Sequence, residues 1–110
     1  MLIDVSRWRI PKENSEKHLN TWREILDHQK SHPEKYLYSR SRIFKLTEEA
    51  SSEESWLAID EYEDRETYDK TMKALESDPG IACPTSIPGS MKTERWTLML
   101  DCQPRPTKSE

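Results

Sequence analysis

Residues 56–75 read WLAIDEYEDRETYDKTMKAL, and the stretch changes its period halfway. From Trp56 to Tyr62 the pattern alternates, with Trp56, Ala58 and Tyr62 on one face and Leu57 and Ile59 on the other, as a strand requires. Beyond Asp64 the spacing becomes helical, with Tyr68, Thr71, Met72 and Leu75 on one stripe. Asp64 suits the N-cap, because its carboxylate can accept the free amides of the first turn. Glu66 falls in that turn, where the helix dipole favours negative charge. The acids at the join, Asp60–Glu61 and Glu63–Asp64, thus have an architectural explanation. That outweighs paired catalytic carboxylates, which need a cleft around them.

The flanking sequence supplies the other elements. Residues 2–10 are rich in β-formers, with Ile3 and Val5 on one face and Leu2, Trp8 and Ile10 on the other, and Pro11 stops the strand. Asn14 or Ser15 can cap a helix whose stripe is His18, Leu19, Trp22, Ile25, Leu26 and Gln29. That helix ends near His32, before Pro33. Residues 36–46 read as a strand, with Tyr36, Tyr38, Arg40, Arg42 and Phe44 on one face. Residues 47–54, TEEASSEE, read as a solvated loop, so strands 36–46 and 55–62 form an antiparallel hairpin. Asp78-Pro79-Gly80 ends the second helix. Residues 79–90 are a long irregular connector holding both glycines, and such connectors are often lids. A last strand spans 91–100, and residues 101–110 form a polar tail.

A chain of 110 residues holds one domain, taken as residues 1–100. It is hydrophilic, with 35% charged residues and a net charge of −4. Leu, Ile, Val and Phe together number only 18. Four Trp, four Tyr and four Met at regular spacings argue for order. A thin core on an ordered chain implies that a partner surface supplies the missing burial, so a homodimer is expected. The acidic balance speaks against nucleic-acid binding. No run of about 18 apolar residues suggests a membrane span. The first ten residues lack the layout of a signal peptide. Cys83 and Cys102 read as free thiols in the cytoplasm.

The order β-α-β-β-α-β describes a ferredoxin-like unit of the α+β class, with a four-stranded antiparallel sheet and two helices on one face. Over residues 1–100 the chain resembles the dimeric α+β barrel superfamily, particularly its antibiotic-biosynthesis-monooxygenase-like and stress-responsive groups. The resemblance rests on the element order and on WLAIDEYEDRETYDKTMKALESDP, a strand ending in an acid and an aromatic, then an acidic cap, a helix and an Asp-Pro stop. It implies two sheets packed into a barrel, with a cleft between the sheet and helices of each subunit. Haem-degrading members need an Asn in the first strand and a Trp–His arrangement at the second helix. Here Arg7 and Trp8 stand in that strand and the second helix carries Tyr68 and Met72, so no cofactor is expected. Cyclase members use a His with a Tyr, parts that His18 and Tyr62 or Tyr68 could take.

The candidate site is therefore His18 and Tyr68 as catalytic residues, with Arg7, Trp22 and Tyr62 lining a pocket for a partly apolar small molecule. The chemistry implied is cofactor-independent oxygenation, or a related isomerisation or cyclisation. The competing reading is a non-catalytic barrel serving as an interaction or stress-related module. Each residue also has a plainer role. His18 suits a hydrogen-bonded core position as well as acid–base work. His28 and His32 have the spacing of a helical metal pair but lack a third ligand, so no metal is expected. Arg40 and Arg42 fit a subunit seam better than an anion site. The four tryptophans are spread over four elements and read as packing residues.

Overall fold

The computed structural model describes residues 1–48, 50–77 and 87–104. Strand β1 spans Leu2–Pro11, helix α1 Ser15–Lys30, β2 Arg40–Lys45, β3 Glu53–Tyr62, α2 Arg65–Glu76 and β4 Lys92–Thr97. A short 3-10 turn, Lys12–Asn14, links β1 to α1. The sheet order is β2-β3-β1-β4, and the three pairings are all antiparallel. This is the expected ferredoxin-like βαββαβ unit.

Register fixes which residues share a face. Trp8 lies opposite Trp56, Ser6 opposite Ala58, Asp4 opposite Asp60 and Leu2 opposite Tyr62. Both helices pack on that face: His18 and Trp22 of α1 meet Trp8, and Tyr68 of α2 meets Tyr62. The core gathers Trp8, Ile10, Trp56 and Ala58, with Trp22 and Ile43 against them. Each large side chain buried here contributes about 1.5–3 kcal/mol. The opposite face carries Ile3, Val5 and Arg7 of β1, Leu57 and Ile59 of β3, and Arg42 and Phe44 of β2. No other element among the described residues covers it, and Phe44 is 41% and Trp96 54% exposed.

The corner between β3 and α2 forms as its residues demand. The Asp64 carboxylate accepts the Thr67 amide at 2.8 Å, and the Thr67 hydroxyl accepts the Asp64 amide at 3.4 Å, closing a capping box. Asn14 stands at the N-cap of α1 without a side-chain cap bond.

Three strand boundaries differ from the sequence expectation by more than one residue. The second strand starts at Arg40, not Tyr36. The Tyr36 amide turns back to His32 O, and the Leu37 amide bonds the Thr71 hydroxyl at 3.0 Å rather than a neighbouring strand. Alternation is lost there, so Tyr38 packs on Tyr62 beneath the helices and not beside Arg42. The third strand starts at Glu53, because Glu53 and Glu54 pair with Pro11 and Ile10. Glu54 is buried, its carboxylate accepting the Trp56 indole N–H at 3.2 Å, so the expected loop does contribute to the core. The last strand stops at Thr97, since β1 begins at Leu2 and offers only Met1 O to the Leu98 amide. The Asp78-Pro79-Gly80 stop, Cys83 and most of the 79–90 connector lie outside the described residues, as do residues 105–110 of the tail.

Candidate functional site

The expected site residues divide into three places. His18 and Trp22 lie beneath α1. His18 is fully buried, and its Nε2 accepts the indole N–H of Trp8 at 2.8 Å and of Trp22 at 3.1 Å. Two donors on one ring nitrogen require that nitrogen to be unprotonated, which sets the tautomer. Burial lowers the His18 pKa, against the pull of Glu54, so the ring is held neutral. Trp56 stands edge-on to it at 4.7 Å. An Nε2 already engaged by two indoles is poorly placed to take a proton from a substrate. It is well placed to satisfy two indole donors inside a dry core.

Tyr62 and Tyr68 lie together beneath α2, with rings 5.1 Å apart and nearly perpendicular. Here the structure adds Asp4, which the sequence reading does not single out, and brings back Asp60, which that reading explains by the strand end alone. Asp4 of β1 and Asp60 of β3 are direct cross-strand partners on the helix-facing side. The Ser41 hydroxyl donates to Asp60 Oδ1 at 2.6 Å. Burial pushes the Asp60 carboxyl up to about 6; the Ser41 hydrogen bond opposes this and the Asp4 charge adds to it. Asp4 is only 6% exposed, and burial raises its pKa against the pull of Arg95. Arg95 of β4 donates from Nη1 to the Tyr68 hydroxyl at 2.8 Å. Tyr38 closes the far side, its ring 5.3 Å from that of Tyr62.

Two polar atoms in this cluster are buried without a hydrogen-bond partner: Asp4 Oδ1 and the Tyr62 hydroxyl. Burial raises the Tyr62 pKa, with Tyr38, Asp60 and Asp4 acting in the same direction, so the phenol keeps its proton. The cluster thus presents one orphan acceptor and one orphan donor among aromatic walls. Native proteins seldom leave such groups unpaired inside. β4 is exposed along its length, so the Arg95 side of the cluster faces solvent.

Arg7 stands apart from both groups, on the opposite face of the sheet. It reaches Glu94 at 3.3 Å and borders a concavity of about 770 Å³ whose lining includes Arg9, Phe44, Leu46, Leu57 and Lys92. Arg9 bonds Glu53 at 2.9 Å and Ser55 at 2.6 Å, and Arg42 reaches Glu61 at 3.4 Å. These arginines therefore pair with acids of their own sheet. The rings of His28 and His32 lie 4.6 Å apart, near Tyr36, and the described residues hold no group of three metal-ligating side chains.

A sequence signal for pairing these two acids exists in the alternation. Asp4 shares a face with Trp8 and Ile10, and Asp60 with Trp56, Ala58 and Tyr62. Two carboxylates at inward positions of adjoining strands are costly unless something binds them.

No protein-family model and no curated protein matches the chain. Solved structures do. An uncharacterised NIPSNAP domain protein from Burkholderia xenovorans aligns with a TM-score of 0.62 at 15% identity, covering 94% of this chain and 99% of that one. An antibiotic biosynthesis monooxygenase aligns with a TM-score of 0.60 at 14% identity, over 91% and 100%. A point mutant of MhuD, with two manganese protoporphyrin IX bound per active site, aligns with a TM-score of 0.61 at 12% identity, over 94% and 99%. A dimeric ferredoxin-like protein from an uncultured marine organism shares the arrangement as well. The chain shares the ferredoxin-like fold of these structures. No helix among the described residues is long and apolar enough to cross a membrane.

Proposed function

We propose that this protein is a homodimer that binds a small, partly apolar molecule between its sheet and α2 and removes a proton from it. The observation that carries the reading is the facing pair Asp4–Asp60 beside a Tyr62 hydroxyl, with Asp4 Oδ1 and that hydroxyl both buried and unpartnered. Asp60, with a pKa near 6, is ionised at neutral pH yet basic enough to accept a proton. The Tyr62 O–H donates to the oxyanion that proton loss creates. Asp60 then returns the proton it took, and Tyr68, its oxygen held by the Arg95 N–H, orients the substrate beside it. Proton removal is the shared first step of cofactor-independent oxygenation, isomerisation and cyclisation. The monooxygenase of like fold is in keeping with that chemistry. On this reading His18 and Trp22 brace the neighbouring wall, and Arg7 belongs to the face that the second copy covers. A cytoplasmic location belongs to the same reading, in keeping with the free, exposed thiol of Cys102.

Native mass spectrometry of freshly purified protein tests assembly and retention together. The reading expects two 13.0 kDa chains with an added small mass. Hydrogen–deuterium exchange at the acidic methylene of 2-indanone, used as a probe, tests proton removal. The wild type accelerates exchange over buffer, and Asp60→Asn loses about ten-fold or more of that acceleration. A bare monomer, or equal exchange in the two proteins, overturns the reading. The second reading, a non-catalytic barrel, is favoured by the space beneath α1, which Trp8, His18, Trp22 and Trp56 fill. It expects a dimer with no retained molecule and no exchange.

A further inference from the structure

A row of polar residues crosses all four strands on the side that faces α2. Ser41 of β2 lies opposite Asp60, Asp60 opposite Asp4, and Asp4 opposite Arg95 of β4. The row has a direction: its two acids are on the inner strands β3 and β1, and its guanidinium is on the exposed edge strand β4.

That guanidinium is under-used where it stands. Arg7, Arg9 and Arg42 each reach a carboxylate of the sheet. Arg95 forms no ion pair among the described residues. Its side-chain hydrogen bond goes from Nη1 to the Tyr68 hydroxyl, a neutral oxygen, at 2.8 Å. An arginine has five N–H donors, so most of this set is left for a ligand. Arg65 also stands over the Tyr68 ring, 5.3 Å from its centre, but Asp69 holds it at 3.0 Å. Tyr68 is in the complementary position. It is only 4% exposed, its oxygen accepts from Arg95, and no described residue accepts its own O–H. A buried hydroxyl proton without an acceptor calls for one.

Free guanidinium donors beside a free O–H suit a carboxylate, whose two oxygens can take both. A phosphate dianion suits them less, because Asp4 and Asp69 lie near the same guanidinium. Burial already raises the proton affinity of Asp4, which softens its repulsion of an arriving anion. Two strand spacings separate the Asp60 and Arg95 backbones by about 10 Å. Contacts of about 3 Å at each end leave the anionic group several bonds from the carbon at Asp60.

We propose that the molecule taken by this site is a carboxylic acid, its carboxylate held at the sheet edge by the Arg95 guanidinium and the Tyr68 hydroxyl while its proton-donating carbon lies inward at Asp60. This deepens the proton-removal reading above and rests on it for the inner end of the site. Titration of the full chain with 2-oxoindane-5-carboxylate and with 2-indanone, followed by 1H–15N NMR, tests the anchor by binding alone, and the spectra report that each variant is folded. The wild type binds the carboxylate about ten-fold more tightly than the neutral ketone. The net charge of −4 makes the general field of the chain oppose that preference. Arg95→Gln, at an exposed position, brings the ratio of the two dissociation constants to near unity, and Arg95→Lys keeps part of the preference. Equal affinity of the wild type for the two probes, or a preference that survives Arg95→Gln, overturns the carboxylate anchor and leaves proton removal to be judged by 2-indanone exchange. A preference lost in Arg95→Gln, with no acceleration of exchange in either probe, upholds the anchor and overturns proton removal. Binding of neither probe overturns both.

Discussion

Asp60→Asn isolates the electrostatic cost of the site. The Asp60 carboxyl is raised from an ordinary 3.8 to about 6, chiefly by burial. Folding therefore favours its protonated form. Stability from this group is complete below about pH 4 and is lost as pH climbs through about 6. A rise of that size corresponds to about 3 kcal/mol at neutral pH. Asparagine is nearly isosteric and keeps an oxygen to accept the Ser41 hydroxyl, which sits 2.6 Å from the carboxylate. It also removes the charge that faces Asp4. Asp60→Asn should thus be more stable than wild type by about 2–3 kcal/mol near pH 7.5, with the gain vanishing near pH 4. Urea unfolding monitored by tryptophan fluorescence measures this, at one fixed protein concentration because assembly shifts apparent stability. The His18 titration is common to both proteins and cancels in the difference. A gain that does not change with pH would refute the reasoning. So would a loss near pH 7.5, which would mean that the ionised carboxylate is stabilised more than it is desolvated.

Three further outcomes follow from the geometry. His18→Leu strands the buried Trp8 indole N–H and should cost about 2–4 kcal/mol in urea unfolding, whereas His18→Gln retains an acceptor and should recover about half of the loss. Because the His18 pKa is lowered on folding, the His18 contribution to stability should fall as pH drops below about 6.5, where the unfolded imidazole takes up its proton first, opposite in sign to the Asp60 contribution; the difference in stability between wild type and His18→Gln, followed against pH, should isolate it. Thr71 is fully buried, accepts the Leu37 amide at 3.0 Å and donates to Thr67 O at 2.9 Å. Thr71→Val should cost about 1–3 kcal/mol by thermal or urea unfolding, and Thr71→Ser about 1 kcal/mol or less.

The two buried clusters on this sheet face differ in how far their polar atoms are satisfied. At the α1 end, the polar atoms meet: two indole donors converge on one imidazole acceptor, and a third indole bonds Glu54. At the α2 end, they do not all meet, and two carboxylates confront each other across adjoining strands. A satisfied network stiffens a core, whereas a half-satisfied one is costly unless a ligand or reaction uses it. About 13 Å of β1, from Asp4 to Trp8, separates them. The same backbone that fixes the Trp8–His18 bond also sets the Asp4 carboxylate.

Local pattern was enough for the element order, because strand alternation and helical periodicity are set within a few residues. Trp56, Ala58 and Tyr62 on one side of a strand, followed by Asp64 and the Tyr68–Thr71–Leu75 stripe, specify a strand, a cap and a helix without reference to the rest of the chain. Those elements in that order admit few topologies, so the sheet was legible too. Tyr62 and Tyr68 were legible as neighbours across the corner that joins them. The partners of those tyrosines were not. Asp4 and Asp60 are 56 positions apart, and only the β1–β3 register sets one opposite the other. The same holds for Arg95 on Tyr68 and for Trp8 on His18. Tyr38 was misassigned for the same reason, since a bond from the Leu37 amide to Thr71 on another element overrode the alternation of its own segment. Periodicity reports which way a side chain points, while the three-dimensional register decides what it meets and hence its proton affinity.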